Sequence, residues 1–249
     1  MNKQFSLSEI LGSAWALAKK NIWVLMGFTA IQFLGIILIP IVVRLFLTPK
    51  FDGIVVWLQL LITLINTIFM VAIYQVLFKL IDEDEDPTFP DFLPNIVKAL
   101  NFILVQFMLS ALVVFFIAII AAAYFLNTPQ LTPVTLLSWK NSPLLILISM
   151  LIIFVSIKMY FVLCFIVDQE SGAIEAIRQS WLITKGQFWF LFSLSFVCLS
   201  INLLGLITFV VGLLFTIPFS SLITIVAYRQ IVNSYIEDEN TLIDNSDIE

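Results

Sequence analysis

The chain has 249 residues, 61% of them hydrophobic and 12% charged, with a mean hydropathy of +1.08. Water-soluble domains run at about 45–50% apolar and about 25% charged residues, so this chain has too little polar surface to coat a globule in water, and lipid must solvate much of its exterior. The net charge of −5 gives no reason to expect nucleic acid as a partner, and the absence of histidine removes the commonest general base and metal ligand.

The first twenty residues are polar and amphipathic. Leu7, Ile10, Leu11, Ala14 and Ala18 repeat at helical spacing, and Ser6 with Glu9 three residues on fits a capping box. This predicts a helix lying in the membrane interface, with Trp15 at headgroup depth. No small-residue cleavage site follows the first apolar run, so it reads as a retained span and not a signal peptide.

Apolar runs at 22–43, 54–80, 100–126 and 143–167 each reach the about 20 residues that a helix needs to cross the hydrocarbon core. Charged or turn residues separate them. The last run, 187–232, is too long for one crossing and predicts a helical hairpin turning between Gly205 and Gly212, with a re-entrant segment as the alternative. Pro40 and Pro218 are expected to kink their helices. The expected fold is all-α: one domain over 1–236 with six transmembrane helices, followed by an acidic, disordered tail at 237–249.

Lys and Arg placement sets orientation. With the N-terminus inside, Lys3, Lys19, Lys20, Lys79, Lys98, Arg178, Lys185 and Arg229 fall on the cytoplasmic side, against Arg44, Lys50 and Lys140 outside. Both termini are therefore expected in the cytoplasm.

An amphipathic or turn-helix segment is expected before each helical hairpin. In the third, Ser171 is a candidate N-cap, Ala173, Ile174, Ile177 and Trp181 form the apolar stripe, and Glu175 can pair with Arg178. An offset of 166 aligns Glu9, Trp15, Lys19 and Trp23 with Glu175, Trp181, Lys185 and Trp189. The middle segment, from Phe89 to Phe102, shares less, with Lys98 and Phe102 at the Lys and Trp positions. These matches predict three parallel repeat-like units at about 6–80, 89–167 and 171–232, without the inverted symmetry of many secondary transporters. Trp15, Trp23, Trp181 and Trp189 are the expected interfacial anchors.

The third segment carries a resemblance. Asp168, then Glu175, Arg178, Ser180, Trp181, Lys185 and Gly186 in the stretch Gly172-Ala-Ile-Glu-Ala-Ile-Arg-Gln-Ser-Trp-Leu-Ile-Thr-Lys-Gly186 resemble the YciC-type bacterial inner-membrane family. They also resemble the membrane domain attached to some glycerophosphodiester phosphodiesterases. Asn202, Gly205, Gly212, Pro218, Tyr228 and Arg229 fit the same pattern, as does Pro90-Asp-Phe-Leu93. The resemblance implies a multi-pass protein of the bacterial cytoplasmic (inner) membrane and no agreed biochemical activity. This chain has no phosphodiesterase domain, so that activity is not implied.

Few residues could carry chemistry. Lys158 lies inside the fourth run, and an ionisable residue there is a functional candidate by default. Lys158, Asn66, Asn202 and Gln106 form the candidate intramembrane polar site, with Gln75 a further partner for the lysine. The default account is structural: a lysine snorkelling or tying helices, and amides gluing helix pairs. A polar cavity and a Ser–Lys dyad are the competing accounts. Asp82, Asp84 and Asp86 are a weak metal candidate, lacking the Gly and distal Glu of a calcium loop. Cys164 and Cys198 read as small apolar residues.

These features point to a non-enzymatic membrane protein, a scaffold, accessory or membrane-organising subunit without cofactors. Membrane lipids are its expected partners, with other membrane proteins or a second copy of the chain as candidates. The alternative is a transporter or channel for a small solute or lipid through a cavity that includes Lys158.

Overall fold

The computed structural model describes residues 6–46, 54–82, 89–127, 142–208 and 211–246, and every regular element among them is helical. In chain order these are α1 (Leu7–Lys20), α2 (Ile22–Phe46), α3 (Ile54–Asp82), a 3₁₀ turn (Phe89–Phe92), α4 (Ile96–Asn127), α5 (Ser142–Lys158), α6 (Val162–Asp168), α7 (Ala173–Ile183), α8 (Phe188–Ile207) and α9 (Leu213–Ser246). Six segments among them are long and apolar enough to cross a membrane: Ile22–Val42, Trp57–Asp82, Pro90–Ile119, Ser149–Asp168, Phe188–Ile207 and Leu213–Ile236. That is the pattern of a multi-pass membrane protein. Large apolar side chains such as Leu34 and Leu38 on α2, or Leu104 and Phe107 on α4, are exposed along these segments, a surface that acyl chains solvate and water does not.

The first helix forms as its sequence suggests. Ser6 is the N-cap, its hydroxyl accepting from Glu9 N at 3.4 Å, and Lys19 and Lys20 occupy the last turn, where cations favour the helix dipole. The helix packs mainly against α9. Ile10, Ala14 and Ala18 are fully buried, and small residues at two of these three positions allow close approach. Asn21, whose Nδ2 donates to Leu17 O at 3.2 Å, is the single residue between α1 and α2.

The segment before α4 departs from expectation. Only Phe89–Phe92 forms a short 3₁₀ turn, and Lys98 and Phe102 belong to α4 itself. Pro90 and Pro94 lack the N–H groups that a longer helix would need. Asn95 starts α4 instead, its Oδ1 accepting from Val97 N at 2.9 Å and Lys98 N at 3.4 Å.

The last run is a hairpin of α8 and α9, and two glycines let it close. A Cβ on Gly205 would collide with Thr216 and press on the Gly212 backbone, and one on Gly212 would collide with Thr208 and the Gly205 backbone. Asn202 Nδ2 donates across the pair to Ser220 Oγ at 2.9 Å. Pro40 and Pro218 both lie inside continuous helices. Beyond the span, α9 continues to Ser246, so the acidic stretch from Glu237, expected to be disordered, is helical as far as the described residues reach. Adding residues to an existing helix avoids the nucleation cost.

α9 is the hub of the bundle, packing against α1, α2, α3, α7 and α8. Tyr228 is its centre: fully buried, with the rings of Phe78, Phe161 and Phe165 around it at 5.9, 5.9 and 5.1 Å.

Candidate functional site

The fourth span is not one helix. A continuous helix over 143–167 was the expectation; instead α5 ends at Lys158, three turn residues follow, and α6 begins at Val162. No proline or glycine sits at the break. A break inside a span strands backbone polar groups where no water can meet them, at a cost of several kcal/mol each.

Ser180 on α7 meets two of these groups. Its Oγ donates to Lys158 O at 2.8 Å and accepts from Phe161 N at 3.3 Å, and both Ser180 and Phe161 are fully buried. Thr184, one turn later, donates from Oγ1 to Ser180 O at 2.8 Å, and its own carbonyl accepts from Lys158 Nζ at 3.2 Å. The Trp181 and Phe154 rings face the ammonium at 5.5 and 6.0 Å from their centroids, as cation–π partners. Gly186 then takes a φ of +83°, which only glycine adopts without cost, and turns the chain into α8. Ser180, Trp181, Thr184 and Gly186 therefore form a clasp over the broken span.

α7 itself differs from the predicted amphipathic helix. Its buried face is Ala173, Ala176, Ser180 and Ile183, while Ile174 is 73% exposed and Trp181 about half. The helix packs closely on α6, a contact that favours the small Ala173, Ala176 and Ser180, while Ile174 and Trp181 face outward. Ser171 is not the N-cap. Gly172 holds that position, because Ser171 N closes the end of α6 on Phe165 O at 3.3 Å and Ser171 Oγ donates to Gln179 Oε1 at 2.8 Å. Glu175 and Arg178 are exposed on the opposite face, as is Lys185.

The four polar candidates engage four different helix pairs. Asn66 Oδ1 accepts from Gln32 Nε2 at 2.8 Å (α2 to α3), and Gln106 Oε1 accepts from Thr67 Oγ1 at 2.9 Å (α3 to α4). Asn202 joins Ser220 within the α8–α9 hairpin, and Lys158 joins Thr184. No hydrogen bond links any two of the four. Gln75 accepts from Asn95 N at 3.1 Å and has no bond to Lys158. Three grooves among the described residues are apolar: one of about 120 Å³ between α4 and α5, one of about 430 Å³ beside Phe28 and Phe69, and one of about 430 Å³ between α5 and α8. None is lined by Lys158, Asn66, Asn202 or Gln106.

A second cluster gathers at one end of the bundle. The Arg229 guanidinium sits 2.6 Å from Asp82 Oδ2 and 2.9 Å from Asp168 Oδ1, over the Phe78 ring at 5.1 Å. Tyr228 OH donates to Asp168 Oδ2 at 2.8 Å. Lys98 Nζ donates to Val167 O at 2.8 Å, at the C-terminal end of α6, and pairs with Glu170 at 3.2 Å. Lys79 pairs with Asp91 at 2.9 Å. These bonds tie α3, the 3₁₀ turn, α4, α6 and α9 together. Asp82, part of the weak metal candidate, is thus engaged by Arg229, while Asp84 and Asp86 lie outside the described residues. Among the described residues no three His, Cys, Asp or Glu side chains group as metal ligands.

The tryptophans occupy distinct settings. Trp23 and Trp189 are 83% and 76% exposed. Trp15 rests edge-on against Phe215 and Phe219, about 15–20 Å along α9 from Arg229. Cys164 and Cys198 are both buried free thiols.

Comparison with protein-family models, with curated proteins and with solved structures finds no match to this chain.

Proposed function

We propose that the chain is a non-enzymatic scaffold or accessory subunit of the bacterial cytoplasmic membrane, similar to the YciC-type family, with both termini in the cytoplasm. One observation carries this reading. Each of Lys158, Asn66, Asn202 and Gln106 is engaged in its own interhelical contact, and none of them lines the three apolar grooves. Such side chains are glue, not the lining of a path. The Lys and Arg count supports the orientation, and the exposed tryptophans suit interfacial anchoring. Apolar outer faces on α2 and α4 offer surface to lipid, to other membrane proteins or to a second copy.

The test is purification in a mild detergent with identification of copurifying proteins, plus sidedness tags on both ends. A defined membrane-protein partner, or a self-associated chain, with both tags inside supports the proposal. Tags on opposite faces, or a monodisperse lone chain, count against it.

A transporter is the second reading, favoured by the broken fourth span, because interrupted helices build the binding sites of many transporters. Solute flux in proteoliposomes that disappears in Lys158→Met would establish it over the scaffold.

A further inference from the structure

Lys158 is only 8% exposed, yet its ammonium, with three N–H donors, has one oxygen acceptor, Thr184 O. Among the described residues neither Lys158 nor Lys185 has a carboxylate at ion-pair distance. Lys185 is exposed and follows Thr184, the residue whose carbonyl takes the Lys158 ammonium at 3.2 Å. α8 begins three residues later, so the positive end of its dipole lies beside the same turn. Two lysines therefore belong to one turn, between the C-terminal carbonyls of α7, which Lys158 caps, and the N-terminus of α8, with no carboxylate among the described residues in ion-pair contact with either. The Trp181 and Phe154 faces offset only part of the Lys158 charge.

A groove adjoins this cationic turn. It lies between α5 and α8, holds about 430 Å³ and is walled by Ile153, Ile157, Tyr160, Phe192, Phe196 and Leu199. That volume falls within the about 300–1,000 Å³ of small-ligand sites. A series of ring contacts joins the two features: Trp181 on Phe154 at 6.0 Å, Phe154 on Phe188 at 6.1 Å, and Phe188 on Phe192 at 6.3 Å. A small anion would leave the groove empty, and a lipid without net charge would leave the lysines uncompensated. An amphiphile with an anionic head satisfies both.

We propose that Lys158 and Lys185 hold the phosphate of an anionic phospholipid, one of whose acyl chains lies in the α5–α8 groove. The bound lipid would fasten α7 and α8 to the broken span from outside, as Ser180 does from within. The proposal rests on the membrane reading above but not on any protein partner.

The experiment uses the full chain, delipidated in detergent and titrated with phosphatidylglycerol, phosphatidylcholine or glycerol 3-phosphate, with native mass spectrometry as readout. Phosphatidylglycerol should be retained in preference to phosphatidylcholine. Lys185→Gln, an exposed change compatible with folding, should weaken that retention about fivefold, the scale of one lysine at an anionic surface. Ser195→Phe, which narrows the groove with both lysines intact, should weaken it as well. Equal retention of the two lipids, no effect of Lys185→Gln, or competition by glycerol 3-phosphate at matched concentration would overturn the site. Recovery of each variant from the membrane fraction checks the membrane reading separately.

Discussion

Ser180 Oγ lies 2.8 Å from Lys158 O, one of the bonds that join α7 to the interrupted fourth span. The hydroxyl serves two backbone groups from different sides of the break, so its removal orphans both. An unsatisfied buried group costs about 1–3 kcal/mol. Ser180→Ala should therefore lower the thermal midpoint in detergent clearly, whereas Ser193→Ala, which loses only an exposed bond back to Trp189 O, should change it little. Equal midpoints for the two variants would show that Ser180 does not support the break.

Glycines at two places should respond in opposite senses. Gly27 has open space where a Cβ would go and sits inside α2, so Gly27→Ala should be neutral or stabilising by up to about 1 kcal/mol. Gly205→Ala drives a methyl group into Thr216 and the Gly212 backbone and should cost about 1–3 kcal/mol. Unfolding in detergent measures both, and a harmless Gly205→Ala would contradict the close α8–α9 turn.

Arg229 holds two carboxylates of unequal burial, the Asp168 side chain 16% exposed and that of Asp82 46%. Screening weakens the more exposed pair. A double-mutant cycle on unfolding stability should give a coupling of about 1 kcal/mol or more for Arg229 with Asp168, and about 0–0.5 kcal/mol with Asp82. The reverse order would assign the anchoring role to α3 and not to α6.

Cys164 is fully buried and Cys198 nearly so, each as a free thiol. Maleimide should label neither in the folded protein and both after denaturation, with no mobility change on reduction. Rapid labelling of Cys164 in the native state would mean that the centre of the bundle opens.

The spans and the final hairpin were legible because they depend on local quantities: run length, and two glycines seven residues apart at Gly205 and Gly212. The break at 159–161 was not. Met159, Tyr160 and Phe161 carry no breaker, and the bonds that sustain the break come from Ser180 and Thr184, about twenty residues on. Ser180 stood within the family-like stretch, but nothing in the local pattern says that its hydroxyl serves another helix. The stripe of α7 was right at Ala173 and Ile177 and misjudged at Ile174 and Trp181, for a related reason: periodicity identifies apolar residues, whereas a close helix contact selects small ones, here Ala176 over Ile174. The Asp82–Arg229 pair spans 147 positions, beyond the reach of any spacing argument.

The placement of Tyr228 constrains how the protein comes into being. Its ring is enclosed by Phe78, Phe161 and Phe165, all of which leave the ribosome before α9 does. Until then these three rings lack the partner they share in the folded chain. Maturation is therefore a late event in which one helix completes contacts with five predecessors, and a chain stopped short of it would present the quality-control machinery with an incomplete centre.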